Sequence, residues 1–373
     1  MKQRIESGKR KIRYGIIGGG FRAEFFLKAA LEVPELFEAA GIVTNFPEHT
    51  AEQRARLGVT LYRSAEDLLE HEKPDFLVVT TKRPADKPPQ EPMDRLVGLG
   101  CPILMETPAA RSFEELHHIY ELCKGKKVQV AEQVHAQPEN EARIALAHSG
   151  ILGTLSQAEL SFQHSYHCMN VLRRFLKIGF ENAEISGKVF HFPVVQGYTR
   201  SGVSNTENIV KEKRVFGLLD FNGKLGIYNY EDNQVRAYAR AEHIAVRGER
   251  GEISNRTVRW LHTHEDFRQY TYERIYSGVQ TNLEGFFFRG LMGGGKWIYS
   301  NPYPHRFLYD DEIAVMAVLE KMARYVREGG SFSSMANACQ DQYLALMIEK
   351  SAKEGRPILT ETQPWADEAD ILA

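Results

Sequence analysis

Residues Arg13–Ala30 read RYGIIGGGFRAEFFLKAA. Arg13 to Ile17 is a short run suited to a β-strand, and Phe21 to Glu32 reads as a helix. Between them stands Gly18-x-Gly20-x-x-Ala23. At a strand–helix junction the first glycine permits the tight turn, the second lets a diphosphate approach the backbone, and a small third residue lets the helix pack on the sheet. N–H groups at the helix start, where Phe21 and Arg22 lie, face the anion. If further βα units follow, this stretch is expected to hold a dinucleotide, NAD or NADP.

They do follow. Phe37 to Thr44 is apolar, Ala51 to Leu57 helical, and Ser64 opens a helix with Asp67 three residues on. Asp75 to Thr80 (DFLVVT) is a continuous β-branched run, the mark of a strand buried on both faces. Pro92 to Gly98 is helical, and Pro102 to Met105 is the next strand. Ser112 with Glu115 caps the helix that runs to Cys123, and Lys127 to Ala131 closes the series. Strands spaced by such helices mean βαβ units and a parallel sheet.

After Ala131 the pattern changes. Pro138 opens a helix, and then strand-like runs dominate: Leu155–Phe162, Lys188–Val195, Arg214–Tyr230, Val235–Arg247, Thr257–His262 and Gln269–Tyr276. Asn222-Gly223 is a two-residue hairpin turn. Two helices, Asp310–Arg327 and Met335–Lys353, precede a polar tail. The expected fold is α/β: a Rossmann doubly wound parallel sheet over 1–131, then an α+β domain over 132–373 with a large, mostly antiparallel open sheet. The first part would bind the dinucleotide, and the second the substrate and partner subunits. A chain of 373 residues has room for two such cores.

Composition excludes several classes. A formal net charge of -2 offers no general attraction to nucleic acid or to an anionic membrane. The four cysteines have no CxxC spacing, so neither a zinc ribbon nor a disulfide framework is indicated. The N-terminus lacks the apolar segment of a secretory signal. A cytoplasmic protein with no membrane or nucleic-acid partner is expected.

The strand ends define the candidate site. The second strand ends at Thr44-Asn45, with no acid to take the ribose hydroxyls and no adjacent arginine for a 2′-phosphate, so NAD and NADP both remain open. The fourth ends at Thr80, and Lys82-Arg83 beyond it could meet phosphate or solvent. The next runs ILMETPAA, Ile103 to Ala110, placing Glu106 and Thr107 where parallel sheets bind ligands.

This order of motifs resembles the Gfo/Idh/MocA family, the glucose–fructose oxidoreductase and inositol dehydrogenase group, over about the first 180 residues. The resemblance implies an NAD(P)-binding Rossmann domain and a second domain that binds a sugar or polyol and forms subunit contacts. The family's Glu-Lys-Pro motif falls on Glu106, Thr107 and Pro108, so its lysine is replaced by a hydroxyl. Its aspartate, four residues before a histidine, falls on Gln163, while His167 keeps the histidine. By this match His167 is the acid/base, with Thr107 a hydrogen-bond donor and Glu106 an organiser of the pocket that also contacts cofactor. The imidazole is expected to be less firmly oriented without its carboxylate. His135, Gln163, His164 and Tyr166 are candidate substrate contacts. His164-x-x-His167 lacks a convincing fourth ligand, so no metal is expected.

Other motifs carry less. His262 and His264 are expected to share one strand face, Gly290–Lys296 to form a loop near the substrate mouth, and Asp310 and Asp311 to cap a helix. The leading expectation is hydride transfer between nicotinamide and a carbohydrate or polyol by a homodimer or homotetramer. The rivals are a redox-assisted glycosidase or lyase and a non-catalytic nucleotide-binding sensor or partner subunit.

Overall fold

The computed structural model describes residues 10–80, 92–199, 202, 206–278 and 286–368. Lys82-Arg83 lies outside them. The chain begins β1 (Ile12–Ile17), α1 (Phe21–Glu32), β2 (Phe37–Val43), α2 (Ala51–Leu57), β3 (Thr60–Tyr62), α3 (Ala65–Glu72), β4 (Phe76–Val79), α4 (Met93–Gly98), β5 (Ile103–Met105), α5 (Phe113–Cys123) and β6 (Val128–Val130). These strands make one parallel sheet in the order β3-β2-β1-β4-β5-β6. All four residues of β4 are buried, as a strand covered by helices on both faces requires. Ser64 and Ser112 accept from the amides of Asp67 and Glu115 at 3.2 Å, the caps expected at the starts of α3 and α5.

The register of this sheet sets the position of the site. Ile17 pairs with Val43 and Val79, Val79 with Met105, and Met105 with Val130. Five strands therefore end level, and Gly18, Thr44, Thr80, Glu106 and Ala131 stand in a row along the carboxyl edge. The chain order reverses between β1 and β4, which is where open α/β sheets bind ligands. Gly18 has φ 117°, open to glycine, and its amide donates to the Val43 carbonyl at 2.8 Å. The middle glycine, Gly19, is needed for space: a Cβ there would stand 2.1 Å from Thr44 Oγ1.

The second half follows as α6 (Pro138–His148), β7 (Leu155–Ser161), α7 (Ser165–Leu176), β8 (Glu184–Val195), β9 (Ile209–Asp220), β10 (Leu225–Glu231), β11 (His243–Gly248), β12 (Gly251–Ser254), β13 (Thr257–Leu261), β14 (Phe267–Thr271), β15 (Glu273–Ser277), β16 (Phe287–Gly293), β17 (Lys296–Ser300), α8 (Asp310–Glu328), α9 (Met335–Glu354) and β18 (Ile358–Leu359). Nine strands form a sheet in the order β14-β13-β12-β11-β7-β10-β9-β8-β18. It is antiparallel except where β10 meets β7. The Asn222-Gly223 turn joins β9 to β10 with both residues at positive φ, 54° and 102°. Among the described residues no helix is long and apolar enough to cross a membrane.

Helix α7 lies between the large sheet and α9, and from His167 to Leu176 every residue is buried. The apolar stripe of Met169, Leu172 and Leu176 is buried, but so are the polar faces around it. Arg173, with no exposed side-chain surface, reaches Asp341 Oδ1 at 2.7 Å, the Gly179 carbonyl at 2.6 Å and Asn337 Oδ1 at 3.1 Å. Asn170 donates to the other Asp341 oxygen at 2.7 Å. Burial pushes the Asp341 carboxyl up to about 6 against the pull of Arg173. This network fixes α7 on α9. The tail packs back through Trp365, which donates to Gln340 Oε1 at 2.8 Å.

Several sequence expectations are corrected. Gln269–Tyr276 is two strands in two sheets, because the chain turns at buried Tyr272. β13 ends at Leu261, so His262 and His264 lie in the following turn and share no strand face. Gly290–Lys296 belongs to the β16–β17 hairpin, turned by Gly294 and Gly295. Helix α8 is capped by Tyr309, whose amide donates to Glu312 Oε2 at 3.1 Å. Asp310 and Asp311 occupy its first turn and point to arginines instead.

Asp341→Ala should cost about 3–5 kcal/mol, because it strands a buried guanidinium; urea unfolding measures it. Gly19→Ala should cost about 1–3 kcal/mol by forcing β1 and β2 apart at Thr44. Thermal unfolding checks this second value.

Candidate active site

Above the carboxyl edge lies a cleft of about 750 Å³. Of the residues singled out in the sequence, Phe21, Arg22, Thr80, Glu106, Thr107, Gln163, His164, Tyr166 and His167 line it. Gly18, Gly20, Thr44 and Asn45 stand beside it at the ends of β1 and β2. His135 does not line it. That ring is buried in the short 3-10 turn Val134–Ala136. Burial first, then the charges of Arg174 and Lys321, holds its pKa well below the imidazole range, so it stays neutral.

The acid/base candidate does have a carboxylate. His167 Nδ1 lies 2.6 Å from Glu132 Oε2, and the two residues are 6 % and 3 % exposed. Glu132 follows β6 directly, so it belongs to the same sheet edge as Glu106. Its other oxygen accepts from the Val134 amide at 3.0 Å, which fixes the carboxylate. The expectation of a loosely held imidazole was wrong because the partner comes from 35 residues upstream in the chain. With Nδ1 committed to Glu132, the tautomer is set and Nε2 is left for the cleft. Gln163, at the motif's aspartate position, accepts from the His164 amide at 3.1 Å.

A cation also reaches Glu106. Arg22, from the first turn of α1, donates through Nε to Glu106 Oε1 at 3.0 Å and through Nη1 to Asp311 Oδ2 at 3.0 Å. Its Nη2 lies 2.8 Å from the same Glu106 oxygen but is not aligned to donate, and it has no hydrogen bond. Burial raises the pKa of Glu106, while Arg22 pulls it back. Asp311 Oδ1 accepts from Gln133 at 3.2 Å, so α8 closes the network. Tyr166 stacks near His167, ring centroids 4.2 Å apart, with its hydroxyl in reach of Thr107. Burial keeps that phenol protonated. The Thr107–Pro108 peptide is cis.

The chain's residues fit a dinucleotide. A Cβ built on Gly20 meets nothing within 4 Å, so the α1 start is open to a diphosphate. No side chain caps that helix start. Thr44 Oγ1 is occupied by the Phe46 amide at 3.0 Å, and Phe46, exposed at the β2 end, stacks on His49. Thr80 turns its hydroxyl to the Ile17 carbonyl at 3.3 Å, so it shapes the wall rather than offering a free donor. Glu132, Asp311 and the Arg22 bridge were missed from sequence. Only Glu132 carried a local signal, as the second residue past a parallel strand end.

Residues 12–134 match the family profile GFO_IDH_MocA, described as an oxidoreductase family with an NAD-binding Rossmann fold. A search among curated proteins finds no match. Among solved structures the chain is similar to levoglucosan dehydrogenase in complex with NADH and L-sorbose, at 16 % identity and TM-score 0.65, covering 95 % of this chain and 100 % of that one. GenD2 from gentamicin A biosynthesis, in complex with NAD, is 14 % identical, with TM-score 0.65 over 97 % of this chain and 99 % of that one. An NAD binding oxidoreductase from Klebsiella pneumoniae is 14 % identical, with TM-score 0.64 over 95 % and 100 %. At these identities the likeness is one of fold, and it spans both halves of the chain. Residues 12–134 thus match the model of an oxidoreductase family with an NAD-binding Rossmann fold, and over the rest of the chain the likeness is one of fold.

Proposed function

We propose that the protein is an NAD(P)-dependent oxidoreductase acting on a secondary hydroxyl of a sugar or polyol. The observation that carries this reading is the buried His167–Glu132 pair, 2.6 Å apart, on the wall of a cleft at the Rossmann sheet edge. NAD or NADP, when bound, supplies the hydride acceptor or donor. Gly18, Gly20 and the α1 start would hold its diphosphate, and Thr44, Asn45 and Thr80 would border it. The division at residues 131/132 separates this dinucleotide part from the substrate and oligomer part.

His167 Nε2 takes the hydroxyl proton during oxidation and returns it during reduction. A neutral imidazole suits that transfer near neutral pH, and Glu132 stabilises the imidazolium that forms. Thr107 and the Tyr166 hydroxyl donate to the substrate oxygen. The positive charge that Thr107 lacks comes from Arg22, whose Nη2, ion-paired with Glu106 but making no hydrogen bond, can meet charge developing on oxygen. Glu106 and Asp311 hold that guanidinium in place. Gln163 and His164 border the substrate. A hydroxyl-rich substrate matches a cleft whose buried charges, Arg22 with Glu106 and Asp311, are paired with one another.

The large sheet supports an assembly. On its uncovered face Phe190, Phe192 and Leu218 are exposed on β8 and β9. Exposed aromatic side chains on an open sheet face suit a subunit contact, and we assign this face to a homodimer or homotetramer contact.

Turnover with NAD or NADP should appear as reduced-nicotinamide absorbance across a panel of sugars and polyols. His167→Ala and Glu132→Gln should each lower kcat/KM by about 10²–10⁴, with cofactor binding retained. Arg22→Met should lower kcat by about 10²–10³, with part restored in Arg22→Lys. No turnover with any panel member, despite tight cofactor binding, would overturn the assignment in favour of a sensor. Glycoside cleavage without net cofactor reduction would move it to a redox-assisted lyase or glycosidase. Sedimentation should give a dimer or tetramer, and Phe190→Glu with Phe192→Glu should dissociate it.

A further inference from the structure

A second cavity, of about 360 Å³, adjoins the cleft and shares Pro108, His164 and Tyr166 with it. Its other walls include Tyr228 and Tyr230 of β10 and Gln342 of α9. The hydride chemistry above uses none of these three. Tyr228 and Tyr230 are two apart on one strand and so share a face. Besides Glu231 Oε1, which is ion-paired with Arg240, two polar atoms of this wall have no hydrogen bond, Tyr230 Oη and Gln342 Oε1. Their residues are only 3 % and 9 % exposed. Buried hydroxyls and amides are nearly always satisfied, and leaving one unmade is costly. Two such groups on one cavity wall call for an occupant with its own hydroxyls.

The charges around the cavity select the kind of occupant. His164 pairs with Asp232 at 3.3 Å and Lys213 with Glu349 at 3.5 Å. Glu231 is held by Arg214 at 3.0 Å and Arg240 at 3.1 Å. With these charges paired, nothing here favours a phosphate or a carboxylate over a neutral ligand. Tyrosine rings beside unpaired polar atoms suit a sugar ring, which has apolar faces and a hydroxyl rim. The spacing also fits. The His164 ring centroid lies 6.3 Å from that of His167 and 5.7 Å from that of Tyr230. The cavity thus opens beside the acid/base at Tyr166, and its Tyr230 wall stands on the far side of the His164 ring.

We propose that this cavity is a second sugar subsite, and that the substrate is a disaccharide or a glycosylated polyol. Its reacting ring lies at His167. Its second ring lies against Tyr228 and Tyr230, with hydroxyls bonded to Tyr230 Oη and Gln342 Oε1. This inference rests on the sugar or polyol reading given above.

Calorimetry on the full chain saturated with reduced cofactor tests it, using paired probes: glucose with cellobiose, glucitol with maltitol, and myo-inositol with galactinol. In at least one pair the two-unit member should bind about tenfold or more tightly. Tyr230→Phe and Gln342→Leu should each reduce that pair's affinity ratio about tenfold. Tyr230→Phe deletes one hydroxyl without changing shape, and thermal unfolding confirms that each variant is folded. Equal affinities within every pair, or a preference that both variants preserve, would show that the orphan atoms serve only solvent and would overturn the subsite alone. If cofactor binds but no member of any pair does, the sugar reading itself fails and takes the subsite with it.

Discussion

The contact between Glu132 and His167 joins the two halves of this protein where chemistry is expected. Glu132 is set by the last strand of the parallel sheet, and His167 by the first turn of α7. At 2.6 Å and nearly out of solvent, the pair requires both elements to be held with little freedom. The level strand ends supply one side. The buried Arg173–Asp341–Asn170 network supplies the other by seating α7 on α9. A polar network of this kind fixes orientation because every alternative leaves a buried charge unpaired.

The same economy explains the altered motif. A lysine at position 107 would place its ammonium in the cleft directly from the β5 end. Here the cation arrives from α1, and it is steadied by carboxylates from β5 and α8. A planar guanidinium can bridge two acids and still keep a donor for a third partner, which an ammonium on a flexible stem does less well. The charge is thereby tied to the helix that would carry the diphosphate, and in the proposed reaction one side chain would couple cofactor placement to substrate polarisation.

Much of the fold was legible because it rests on short-range patterns. Buried β-branched runs, serine caps and the Asn222-Gly223 turn each have a local physical cause, and the corresponding elements form where expected. The failures came where the decision was not local. Gln269 to Tyr276 has strand character throughout, yet it serves two sheets because Tyr272 is drawn into the core. The stretch GLMGGGK reads as a loop near the substrate mouth, but strand pairing on either side makes it a hairpin turn.

By itself the sequence determined the parallel sheet, the glycine-rich turn and the residues standing at the strand ends, since periodicity and turn chemistry act over a few residues. It also marked His167, Glu106 and Thr107. Only the tertiary structure decided which side chains meet: that Glu132 pairs with His167, that Arg22 bridges Glu106 and Asp311, and that His135 is shut away from the cleft. These partners lie tens to hundreds of residues apart along the chain. Their meeting depends on how sheets and helices pack, which no local pattern encodes.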